Sequence, residues 1–211
     1  MARKVTKNVT SFTRPRNVTY NFSLDHAVTT IILPPSSSWT SGLHWHTSHT
    51  EFLQVISGTA LLTLSSHTRT LTPSDGAVHI NPGIRHEWRR ATTAHTSATH
   101  GLDLVVKEWT TPMDGQKEIF FRNLSSILEE DSSEGLVGES WATLQLLVVM
   151  LGMDNYPVYF SVGGGELGRL VEWIVTMTIL WTAKMIGLGF GLNRFYEEYT
   201  PDEMVRRKKN I

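Results

Sequence analysis

The chain contains no cysteine, which excludes a disulfide framework, thiolate metal sites and cysteine nucleophiles. It has no excess of either charge: 19 Lys and Arg stand against 20 Asp and Glu, for a net charge of -1. No basic field is available to a polyanion, and no nucleic-acid partner is expected. Residues 1–25 include Arg3, Lys4, Lys7, Arg14 and Arg16 but lack an apolar run, so no secretory signal is expected. The basic, Thr-rich start also lacks an amphipathic stripe, and an organelle address is not expected. Without a signal, the sequons at Asn8, Asn17, Asn21 and Asn123 read as chance. There is no internal repeat. The expected location is cytoplasmic.

What is present is enough apolar residue for a core: 40% of 211 residues, the size of one domain with an appendage. The pattern changes near residue 113. Before it, short β-type runs follow each other at 29–33, 51–56, 59–64, 68–71, 77–80, 86–90 and 102–109. Pro34-Pro35, Ser57-Gly58, Ser65-Ser66, Pro73-Ser74-Asp75-Gly76 and Asn81-Pro82-Gly83 separate them. Closely spaced strands with no intervening helix predict an antiparallel sandwich or barrel. After it the period becomes helical, over 118–129, 141–151 and an apolar segment at 170–192, with Arg206-Arg207-Lys208-Lys209 as a solvated basic end. The expected organisation is an N-terminal arm over 1–24, a β-barrel over 25–112 and a helical extension over 113–211. The fold class is mainly β with an α extension.

The chemistry concentrates in Gly42-Leu43-His44-Trp45-His46-Thr47-Ser48-His49-Thr50-Glu51. His44 and His46, two apart, project to one face of a strand. Glu51 opens the next apolar run, and His86 follows the turn at Asn81-Pro82-Gly83. Three imidazoles and a carboxylate from adjoining strands form a mixed N/O cage suited to Fe(II), Mn, Zn, Ni or Cu. Trp45 alternates with the two histidines and is expected in the core, facing away from the metal. His49 reads as a supporting or surface residue, and His79 as a core or rim residue. His26, His67, His95 and His100 have no partner in sequence. Phe52, Gln54 and Trp88 are expected near the pocket.

These residues resemble the two signature motifs of the cupin superfamily. The first is matched at His44, His46, Glu51 and Gly58. The second runs from Pro73 to His86 and keeps the Pro-Gly turn with the histidine three residues on. Asp75-Gly76 reverses the usual order, Asn81 replaces a frequent proline, and Arg89 and Arg90 stand near the position of a usual asparagine. The resemblance implies a jelly-roll-type antiparallel barrel holding one divalent metal, Fe(II) in first place, on His44, His46, Glu51 and His86. Glu51 is also the candidate base. A barrel joined to apolar helices further resembles the cupin-domain oxidoreductases of fungal polyketide biosynthetic clusters. That resemblance implies an oxidoreductase of secondary metabolism acting on a small apolar aromatic or polyketide-derived substrate. Isomerase, dehydratase or cyclase chemistry without oxygen, or a non-catalytic small-molecule-binding cupin, are the alternatives.

Two further segments need a reading. Gly163-Gly164-Gly165-Glu166-Leu167-Gly168 satisfies the dinucleotide fingerprint G-x-G-x-x-G, but no βαβ unit surrounds it, and a hinge is expected instead. Segment 170–192 is long enough to span a bilayer. Glu172, Lys184, three threonines and three glycines favour a helix packed on the protein or on a second subunit of a homodimer, with membrane association as the alternative.

Overall fold

A computed structural model of the chain describes residues 3–91, 101–131, 135–160 and 165–209. It divides into two compact units: Ser11–Asp114, and Met1–Thr10 together with Gly115–Ile211.

The first unit is antiparallel β-structure. One sheet has the order β1 (Ser11–Arg14), β2 (Val18–Phe22), β3 (Thr29–Leu33), β10 (Leu104–Thr111), β5 (Thr50–Ser57) and β8 (Ala77–Ile80). The second contains β4 (His44–Trp45), β9 (His86–Arg90), β6 (Ala60–Leu64) and β7 (His67–Leu71) in that order. Strict alternation along the strands builds the core. Val18, Tyr20 and Phe22 of β2, Ile31 and Leu33 of β3, Leu53 and Val55 of β5, and Leu104 and Val106 of β10 are all buried. Period-two burial of this kind is what fixes register, because a slip by one residue would expose every one of these side chains.

Residues 1–24, expected as an arm, contain two strands. Strand β2 pairs with β3 from Thr19↔Ile32 to Phe22↔Thr29, and β1 pairs with β2. The inward Val18, Tyr20 and Phe22 alternate with Thr19 and Asn21, and the polar half of that alternation conceals the strand in the sequence.

The β5–β6 turn depends on Gly58. Its φ is +78°, and a Cβ there would stand 2.9 Å from both Asp103 O and Leu104 Cα. The conformation and the contact both oppose any larger residue. Gly58→Ala is expected to cost about 1–3 kcal/mol, read from the denaturant midpoint of the β unit.

The second unit is helical: α1 (Gln116–Asp131), α2 (Gly135–Gly152), α3 (Glu166–Gly189) and α4 (Asp202–Lys209), with a short extended pair, β11, at Tyr156–Pro157. The basic end is part of helix α4, anchored by buried Met204 and Val205, while Arg206 and Arg207 are exposed as expected. Arg3 stacks 3.3 Å above the Tyr196 ring and donates to Gln145 Oε1 at 2.8 Å and Tyr199 Oη at 2.9 Å. Gly163 and Gly164 of the fingerprint lie outside the described residues, and Gly165 precedes α3 as its N-cap.

Candidate metal centre

Strands β4 and β9 meet at a single pair, His44↔His86. Directly opposite residues in antiparallel strands point to the same face, and the two rings lie 4.2 Å apart, centre to centre. His46 follows just beyond β4, its ring centre 5.1 Å from that of His44. A bond from Gly83 N to His46 O (2.7 Å) ties this segment to the Asn81-Pro82-Gly83 turn. Glu51 enters from β5 of the other sheet, facing inward with Leu53 and Val55. One ligand atom from each of His44, His46, Glu51 and His86 can be chosen so that all four lie within 4.8 Å of one another. All four side chains are buried, His86 completely and Glu51 to within 1%.

The residues fit a divalent cation. His44 Nδ1–H donates to Gly42 O at 2.7 Å, and His86 Nδ1–H donates to Ile84 O at 2.9 Å. Each bond holds its ring in the tautomer whose Nε2 carries the lone pair, the arrangement of ligating histidines. His86 Nε2 is buried without a hydrogen-bond partner, 3.6 Å from Glu51 Oε1. His46 Nε2 stands 3.0 Å from Glu51 Oε2. Burial, and after it the neighbouring His86 and His46, push the His44 pKa well below its ordinary value. His44 is therefore neutral, as a metal ligand must be.

The other expected residues separate by strand parity. Trp88 lies two residues after His86, faces inward and is wholly buried; its indole N–H donates to Glu108 Oε1. Trp45 is buried, with the Arg85 guanidinium 4.9 Å from its ring centre. Phe52 and Gln54 do not join the pocket. Glu51, Leu53 and Val55 take the inner face, so Phe52 and Gln54 take the outer one. There Phe52 stacks on Trp109 at 5.4 Å, and exposed His79 lies 6.4 Å away. His49 is buried outside the cluster, with Nε2 3.5 Å from Asp114 Oδ1. His95 and His100 lie outside the described residues. Glu108 was not anticipated, although alternation with Leu104 and Val106 gives it an inward position.

Residues 30–103, about a third of the chain, match the protein family described as "Cupin domain". This supports the cupin resemblance over the segment that carries all four cluster residues. Solved structures similar to the chain include the capsular polysaccharide assembling protein CapF from Staphylococcus aureus, at 20% identity and a TM-score of 0.36 over 47% of this chain and 29% of that one. A sugar phosphate isomerase of the cupin superfamily from Silicibacter pomeroyi is 18% identical, with a TM-score of 0.35 over 44% of this chain and 59% of that one. KdgF from a Halomonas species is 15% identical, with a TM-score of 0.33 over 46% and 82%. The chain therefore spans less than a third of CapF and under two thirds of the isomerase. No curated protein matches the sequence.

Proposed function

We propose that the protein is a metal-dependent enzyme of the cupin type, with one divalent ion held by His44, His46, Glu51 and His86. The observation that supports this most directly is the convergence of four buried donors within 4.8 Å. Burying three imidazoles beside a carboxylate is costly unless something satisfies their lone pairs. Three nitrogen donors and one oxygen accommodate Fe(II), Mn, Zn, Ni or Cu, and the cupin resemblance puts Fe(II) first.

Such an ion, when bound, supplies Lewis acidity toward a substrate oxygen and, as Fe(II), redox chemistry with dioxygen. The remaining work falls to the chain itself. The Gly42 and Ile84 carbonyls hold the His44 and His86 rings in orientation. Leu53, two residues from Glu51, and Trp88, two residues from His86, share the inner face and are fully buried, which keeps the surroundings of the polar group low in dielectric. Glu51 is the one carboxylate of the cluster and is assigned as proton acceptor as well as ligand. The finer reading is an oxidoreductase acting on a small apolar aromatic or polyketide-derived molecule in secondary metabolism. It rests on the donor set and on the resemblance of layout, a barrel joined to apolar helices.

Elemental analysis of the purified protein, combined with oxygen-electrode measurements on small phenols and enols, tests both levels. One equivalent of iron and substrate-dependent oxygen uptake are expected. Turnover without oxygen uptake would move the protein to the isomerase, dehydratase or cyclase class. Turnover that survives complete metal removal would overturn the metal reading.

A further inference from the structure

Helix α3 is turned inside out for a water-soluble helix. Its buried face consists of Gly168, Glu172, Thr176, Leu180, Ala183 and Gly187, so small and polar residues predominate on the side that packs. Leu170, Trp173, Ile174, Trp181, Met185 and Leu188 point outward and are 47–64% exposed. A surface helix in water buries its apolar stripe and presents its polar one, which is the reverse arrangement. Small residues at the helix contact with large apolar ones outward is the pattern found where the surroundings are lipid.

We propose that the outward face of α3 is a membrane-docking surface that inserts into the acyl region of a lipid bilayer. At about 100° per residue the six outward residues cover an arc of about 120°, wider than the seam that one partner helix fills in a coiled coil. The helix is 24 residues long and apolar enough to cross a bilayer. Trp141 of α2 and Phe190, just beyond α3, are also exposed, and their rings meet at 5.5 Å. The helix pair lies along the membrane instead of crossing it. Gln145, midway along the apolar part of α2, is buried and hydrogen-bonded to Arg3, which also binds Tyr199. That polar cluster prevents α2 and α3 from being immersed on all sides.

Lys184 falls about 20° inside one edge of the arc; its ammonium lies 4.5 Å from the centre of the Trp181 ring, and its stem can extend to carry the charge to the headgroups. Exposed Arg169, Arg194, Arg206 and Arg207 share the unit with exposed Glu139, Glu166, Glu197, Glu198, Asp202 and Glu203, so insertion of the apolar face, not net charge, carries the attraction. This inference does not depend on the metal.

The test is sedimentation of the intact protein with phosphatidylcholine vesicles, with and without phosphatidylserine. The protein is expected to pellet with both to a similar extent, to resist high salt and to be released by detergent. The double variant Ile174→Glu, Met185→Glu should lower partition at least about tenfold while circular dichroism and the thermal transition stay unchanged. Quenching of the wild-type tryptophan fluorescence by brominated acyl chains gives a second reading that needs no variant. A wild-type protein that stays in the supernatant with both vesicles would overturn the proposal, as would release by salt alone or unchanged partition of a folded variant. A wild-type dimer in light scattering that the variant converts to a monomer, without vesicle binding, would assign the face to a second copy of the chain.

Discussion

The His86→Ala protein is expected to bind its metal more than about a hundredfold more weakly than the wild type, since even residues that only support a ligand are worth 10- to 100-fold. His86 sits at the one register pair that joins β4 to β9, and its Nε2 is buried without a hydrogen-bond partner beside Glu51. Removing the imidazole removes a donor and leaves Glu51 and His44 facing a void. His44→Ala, His46→Ala and Glu51→Ala should lose metal in the same way. His49→Ala should not, because that ring faces Asp114 outside the cluster. Metal content by elemental analysis is the direct measurement. Its companion is thermal: an ion bound only by the folded state raises the transition by mass action, so a chelator should lower the wild-type melting temperature and leave His86→Ala unmoved. Stoichiometric metal in purified His86→Ala would break the cage assignment.

The four-residue cluster was legible in the sequence in two steps. Strand parity places His44 and His46, two apart, on one face, and the resemblance to the two cupin motifs joins Glu51 and His86 to them; the structure brings the four together. The same rule of parity removes Phe52 and Gln54 from the pocket. Proximity to Glu51 in sequence suggested the pocket, but their parity sends them to the outer face. Glu108 was within reach of the rule and was passed over, because a carboxylate beside Lys107 and Trp109 reads as surface until its alternation with Leu104 and Val106 is followed. Strands β1 and β2 were hidden differently. Their outward residues are Thr, Asn and Ser, and Arg14 and Arg16 lend the segment the look of a solvated arm. For α3 the apolar content was plain, but not the direction each residue faces. Hydropathy gives the amount of apolar surface, and only packing against a neighbour shows that Glu172 and Thr176 are the residues turned inward.

Glu118→Ala is expected to lower the stability of the helical unit by about 3–5 kcal/mol, the usual cost of removing one partner of a buried ion pair. Glu118 Oε1 accepts from Arg122 Nε at 2.6 Å across one turn of α1, and both side chains are only 3% exposed. Arg122 also donates to Val9 O at 2.6 Å and Lys7 O at 3.4 Å, so the same guanidinium holds Met1–Thr10 against α1. Without Glu118 the guanidinium stays buried and keeps its bonds to the Val9 and Lys7 carbonyls but loses this carboxylate. Replacing both residues, Glu118→Leu with Arg122→Leu, removes that buried charge and should cost less than Glu118→Ala alone, although it frees the segment around Val9. Asp202→Asn, which weakens exposed charge contacts with Lys7 and Arg206, should move the transition little. Denaturant unfolding followed by far-UV circular dichroism reads all three variants. If Glu118→Ala unfolded at the same denaturant concentration as Asp202→Asn, the pair would be solvated in solution and the tie between α1 and the N-terminal segment would not be electrostatic.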